Sequence, residues 1–277
     1  MAAALSLLSA LMWGTADFLG GVTARRRSAV AIYLASQAFG FVVLLAVALI
    51  RGDWHGPMGY LGWGIGLGVT GLISMVAFYR ALALGPMGLV SPLVAVAVVL
   101  PVIVGFLSGE VPNSMEIAGI VVAFVGVLLA SGPELTGAES MKPLLYTGVA
   151  ALGFGLLYVG MAKGSETNPT MTMLSYRTTS MVILLVALVI ARSAGGLTKS
   201  DIPVLAAIGV LDASANLLFG IASTLGMLTT TSVLSSLYPV VTAVLAAFIL
   251  RERLRPIQYF GVTVAMVGVV LLSAGGM

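Results

Sequence analysis

The chain has 277 residues, of which 60% are hydrophobic and 8% charged, and its mean hydropathy is +1.13. A soluble domain carries about 25% charged residues, so this composition cannot furnish a water-facing surface and defines an integral membrane protein. With no cysteine and one histidine, disulfide frameworks and Cys or His metal clusters are excluded and no metal or cofactor is expected. The net charge of +3 lies in the connections between apolar stretches, where it marks membrane orientation and not nucleic-acid binding.

Windows of about 20 apolar residues predict ten transmembrane helices, near 2–22, 29–50, 60–82, 87–108, 115–132, 143–163, 170–191, 203–225, 228–250 and 256–275. The N-terminal MAAALSLLSALMWG lacks a positive leader and runs into a full-length span, so it is expected to be a retained first helix. Connections are short, the longest being SGPELTGAESMKP and RSAGGLTKSD, and leave no room for a soluble domain. The apolar runs are continuous where a barrel wall would alternate, which predicts an all-α polytopic protein.

Polar residues inside these spans mark the candidate site. In the first span Trp13 and Asp17 share a face at a step of four, and Tyr33 and Gln37 repeat that step in the second. Arg80 lies within about a turn of the end of the third span. The fourth and ninth spans carry Gly85-Pro86, Ser91-Pro92, Pro101 and Tyr238-Pro239, where an internal proline bends a helix and frees a carbonyl. Ser91, Ser235 and Ser236 are placed to satisfy that carbonyl or to meet substrate. Phe154 and Tyr158 share a face in the sixth span, and Arg177 lies in the seventh.

The eighth span holds the strongest signal. Asp212 sits near its centre, where an aspartate costs about 2.5–3.5 kcal/mol to insert, so it must face a bundle interior, a cavity or a partner. Asn216, Phe219 and Ser223 continue the same helical stripe. At 1.5 Å per residue, Asp17 and Asp212 reach similar depths, and two acid–base pairs are expected, Asp17 with Arg80 and Asp212 with Arg177. Such residues mark substrate or proton paths, and buried ion pairs that fix helix rotation are the alternative. Glu110 and Glu252 fall at span ends, and His55 lies in a turn-like connection with no expected role.

Basic residues favour one side. Arg25, Arg26, Arg27, Lys142, Arg192, Lys199, Arg251, Arg253 and Arg255 follow odd-numbered spans, against Arg51 and Lys163 after even ones, which places both termini outside.

The halves also resemble each other. GEVPNSMEIAGIVVAFVGVLLAS from Gly109 aligns without gaps on RERLRPIQYFGVTVAMVGVVLLS from Arg251, pairing Glu110 with Glu252, Gly119 with Gly261 and Gly126 with Gly268. Trp13-Gly14 falls opposite Phe154-Gly155 at nearly the same offset. A five-helix unit used twice must insert its second copy upside down, giving two inverted five-helix repeats, residues 1–138 and 139–277. Gly119, Ala123, Gly126 and Gly261, Ala265, Gly268 permit close packing, so the fifth and tenth spans are expected to be scaffold or an oligomer contact.

MWGTADFLGG in the first span, SSLYPVVTAVLAAFILRERL across the ninth and FGVTVAMVGVVLL in the tenth resemble the EamA family of the drug/metabolite transporter superfamily, over essentially the whole chain. In the first half SPLVAVAVVLP places its proline about a turn later, and GEVPNS lacks the basic residues of RERLRP. The resemblance implies an exporter of small metabolites in a bacterial plasma membrane, with both termini cytoplasmic.

Together these readings predict a secondary transporter, with lipid bilayer and a small polar or amphipathic solute as partners. The candidate binding residues are Trp13, Asp17, Tyr33, Gln37, Arg80, Tyr158, Arg177, Asp212, Asn216, Ser235 and Tyr238. Proton-coupled antiport would run through Asp212, with Asp17 as a second carrier, and an uncoupled facilitator is the alternative. No serine has a neighbouring histidine or a GxSxG setting, so enzymatic chemistry is not expected.

Overall fold

In hydrocarbon a backbone has no water to bond, so uninterrupted apolar runs close their hydrogen bonds within helices. A computed structural model describes residues 1–54, 57–84, 96–130, 141–191, 196–250 and 256–275, with Val90 and Val94 between. His55, Gly85-Pro86, Ser91-Pro92, Arg192 and the Arg251–Arg255 segment with Glu252 lie outside them. Among the described residues the structure is helical, with no strand.

The helices are α1 (Ala2–Ala24), α2 (Ala29–Arg51), α3 (Tyr60–Leu84), α4 (Val99–Leu107, after a 3-10 turn at Val96–Val98), α5 (Ser114–Ala130) and α6 (Met141–Ser165). They continue with α7 (Pro169–Ala191), α8 (Ile202–Leu225), α9 (Leu228–Ser235), α10 (Tyr238–Ile249) and α11 (Pro256–Gly275). Helix ends follow local chemistry. Gly52 terminates α2 in the left-handed region at φ 68°, and Asn113 and Glu116 cap α5 reciprocally through side chain to backbone bonds of 2.8–3.0 Å.

Six helical stretches of the described residues are long and apolar enough to cross a membrane, and Val96–Leu107, Ser114–Leu129 and Tyr259–Leu272 are shorter apolar helices. Outward faces are apolar. On α3, Ile65, Val69 and Ile73 are exposed at steps of four, while Gly64, Gly68 and Gly71 turn inward against Ser175, Thr179 and Tyr176 of α7. An exposed aliphatic stripe of this kind suits lipid.

The ninth predicted span is two helices, not one. The chain breaks at Ser236-Leu237, and Pro239 starts α10 where its missing N–H costs nothing. Ser236 donates to Val233 O at 2.8 Å and Thr242 to Tyr238 O at 3.1 Å, so hydroxyls satisfy carbonyls around the break. Pro101 falls in the first turn of α4 and so does not bend a helix, contrary to expectation. The 3-10 turn at Val96–Val98 lies close to the position matching the second-half break, given the 142-residue offset from Gly109 to Arg251.

Contacts recur between the two stretches of chain at an offset of 141 residues near the break and 142 further on. A Cβ on Gly14 would meet Tyr238 O and Val241, and one on Gly155 would meet Ala97 O and Leu100. Gly126 lies against Ala265, and Gly268 lies against Ala123. Helices α5 and α11 therefore run antiparallel with their small-residue faces together, and of the two roles expected for these faces, packing within the chain is the one observed. Side-chain bonds also tie connections that share a side. Arg27 binds Gly196 O at 2.7 Å and Asp201 at 3.1 Å, joining the α1–α2 and α7–α8 connections. At another point Glu110, after α4, accepts the N–H groups of Leu228 and Thr229, the latter at 2.9 Å, and so caps α9 with a carboxylate at its positive end.

Candidate functional site

The break between α9 and α10 leaves Tyr238 facing inward, and α1, α3, α6, α7 and α8 close around it. They border a cavity lined by Trp13 and Asp17 of α1, Met75 of α3, Phe154, Leu157, Tyr158 and Met161 of α6, Tyr176 of α7, Asp212 and Asn216 of α8 and Tyr238 of α10. The space open to the centre of a water-sized sphere is about 60 Å³. At 10–15 Å³ per water that is room for about five waters, or one small solute.

One hydrogen-bonded chain crosses this site. Trp13 Nε1 donates to Asn216 Oδ1 at 3.0 Å, Asn216 Nδ2 donates to Asp212 Oδ2 at 3.4 Å, and Arg177 Nη2 donates to the same carboxylate oxygen in an ion pair. The expected Asp212–Arg177 pair is thus present. Arg177 is fully buried behind Asp212, off the cavity wall, with its Cζ 5.2 Å from the Tyr176 ring centre. Its Nε and Nη1 have no hydrogen-bond partner among the described residues. Gly40 lets α2 lie close on α8 beside this pair, since a Cβ there would stand 2.9 Å from Gly209 O and 3.0 Å from Ala213 Cβ.

Asp17 differs from Asp212. It is 7% exposed, lines the cavity and is reached by no hydrogen bond or ion pair among the described residues. Both carboxylates line the same cavity. The expected Asp17–Arg80 pair does not form. Arg80 is exposed at 5.9 Å from the Tyr146 ring centre. The reason is angular. On α3, Met75, Phe78, Tyr79 and Leu82 form the buried face, and Arg80 is about 100° around the helix from Tyr79, so its charge leaves the bundle.

Aromatic side chains form the wall. Trp13 packs edge-on to Tyr158 at 5.6 Å between ring centres and lies 6.4 Å from Tyr238, and Phe219 backs Tyr158 at 5.0 Å. These rings sit inside the bundle and do not form an interfacial belt. Tyr33 and Gln37 stand behind the cavity: Tyr33 OH lies 3.4 Å from Tyr176 OH, and buried Gln37 Oε1 has no partner among the described residues. Ser235 is also away from the wall, its hydroxyl donating to Ser6 O at 3.3 Å and tying α9 to α1. Sequence reasoning missed Tyr176, Met75, Leu157 and Met161. Tyr176 was legible as the neighbour of Arg177, whereas the methionines were indistinguishable from gap-filling residues.

A cavity with buried charge, set among apolar helices with lipid-suited faces, is the architecture of a helical membrane transporter. The EamA-like transporter family matches residues 1–132 and 141–274, and the chain belongs to that family. No curated protein matches it. Among solved structures, one described simply as the crystal structure of a protein superposes with a TM-score of 0.80 at 17% identity, covering 99% of this chain and 96% of its own. That likeness concerns the fold.

Proposed function

We propose that the protein is a secondary transporter that exports a small polar or amphipathic metabolite across a bacterial plasma membrane in exchange for protons. The halves, residues 1–138 and 139–277, act as inverted five-span repeats that rock about the central cavity. The reading rests above all on one observation: side chains from residues 1–138 and from 139–277 converge on one cavity, and that cavity holds a carboxylate with no partner among the described residues. The reciprocal Gly14–Tyr238 and Gly155–Ala97 contacts, and the antiparallel match of α5 with α11, support the inverted relation. Broken backbone at the α9–α10 junction beside the cavity fits the rule that irregular backbone in a membrane borders a binding site.

Proton exchange is assigned to Asp17 in preference to Asp212. Asp212 is already neutralised by Arg177, so protonating it would break an ion pair, whereas Asp17 has no counter-ion among the described residues to lose. Proteoliposomes with an imposed pH gradient test this. The wild type is expected to accumulate substrate against its gradient, and Asp17→Asn to lose that accumulation. Accumulation by Asp17→Asn with an unchanged dependence on the gradient would remove the coupling role, and downhill flux alone in the wild type would identify a facilitator.

A further inference from the structure

Charge counting around the cavity limits what can enter it, and the inference drawn here rests on the transport reading. Two charged side chains line the wall, Asp17 and Asp212. Arg177 cancels Asp212 from behind and is 0% exposed, so it offers no cation to a bound solute. Asp17 remains. Facing it are Asp212 from α8, Tyr158 from α6 and Tyr238 from α10, with Tyr79 of α3 packed on Gly20 one turn along α1, and none of these supplies a positive charge.

The uncharged wall has the same bias. Trp13, Phe154, Tyr158, Tyr176 and Tyr238 present rings, whose faces are electron-rich. The Trp13 indole N–H is committed to Asn216 and one amide N–H of Asn216 to Asp212, so the donors left on the wall are neutral phenol and amide groups and none brings a positive charge to an anion. A carboxylate or phosphate in this space would meet the uncompensated Asp17 carboxylate and, among the described residues, no exposed cation. An ammonium group would meet a carboxylate and aromatic faces together, the combination that binds cations best when water is excluded.

We propose that the cavity selects a small organic monocation, an amine or quaternary ammonium, held by the Asp17 carboxylate against the faces of Trp13, Tyr158 and Tyr238. The same carboxylate holds either this cation or one proton, so one cation enters the site as one proton leaves it. Charge in the cavity is balanced in both states.

Tetramethylammonium is a suitable probe because it fits a small space and does not itself titrate. Tert-butanol and pivalate serve as neutral and anionic molecules of similar shape. Calorimetric titration of the full-length protein in nanodiscs is expected to show tetramethylammonium binding at least about tenfold more tightly than either. On acidification its Kd should rise about tenfold per pH unit once Asp17 begins to protonate, with release of one proton on binding. Asp17→Asn is expected to abolish both the binding and its pH dependence, while Asp17→Glu keeps both and shows that the fold tolerates change there. Equal or tighter binding of pivalate, or tetramethylammonium affinity independent of pH, overturns the proposal. Asp17-dependent exchange of a non-cationic solute by proteoliposomes, without tetramethylammonium binding, overturns the cation assignment and leaves the transport reading standing.

Discussion

Arg177→Met is expected to destabilise the protein by about 3–5 kcal/mol and to abolish transport. Removing the guanidinium leaves Asp212 buried at 8% exposure with only a long bond from Asn216, and an uncompensated carboxylate in a membrane interior must take up a proton or force the helix to rotate. Either outcome disturbs Asn216, and with it the Trp13 indole that forms a cavity wall. The double variant Arg177→Met with Asp212→Leu separates structure from function. With both charges gone, most of the lost stability should return, because replacing a whole buried pair by apolar groups is often neutral. Transport should not return, because the Asn216 amide then has no acceptor in Asp212 and the chain to Trp13 is broken. Unfolding midpoints in mild detergent, read beside proteoliposome flux, check both halves of this prediction.

Gly126→Leu is the second large effect. A Cβ at this position would stand 2.5 Å from Ala265 Cα, inside any allowed contact between carbons, and the obstacle is backbone that cannot rotate away. Helices α5 and α11 must separate, losing the close packing that drives helix association where no hydrophobic effect operates between helices in lipid. Overpacking of this kind costs about 1–3 kcal/mol, and a leucine against backbone belongs at the upper end. Gly268→Leu should behave alike, because Gly268 lies as closely on Ala123. Protein that survives either change is expected to keep its pH dependence, since neither helix lines the cavity. Thermal midpoints and pH profiles of the two variants are the measurements.

How far the sequence reveals this molecule depends on which coordinate it encodes. Depth along a helix follows from counting residues, and counting brought Arg177 near the level of Asn216, one turn from the Asp212 with which it pairs. Rotation about the helix is weakly encoded when nearly every face is apolar. On α8 the stripe of Asp212, Asn216 and Phe219 defined its own buried face, and all three are buried. On α3 a lone Arg80 had no polar neighbour to fix its direction, and it points out. Tyr33, Gln37 and Ser235 were rightly expected inside the bundle, but side-chain spacing does not say whether an inward residue reaches the cavity or stops behind its wall. The helix break before Tyr238 was legible as proline chemistry, yet its position two residues earlier depends on how α9 and α10 each pack on α1. Methionines 75 and 161 entered the site unannounced because an unbranched apolar side chain has the same pattern in a wall as in a core.

The most direct test of the account uses the absence of cysteine from the chain. Met75→Cys and Met161→Cys place single thiols on the cavity wall from different halves. Sealed vesicles would be treated with a membrane-impermeant thiol reagent from one side and, separately, from the other. Alternating access predicts that each thiol is labelled from both sides and protected by saturating transported solute. Labelling from one side alone, or from neither, contradicts it.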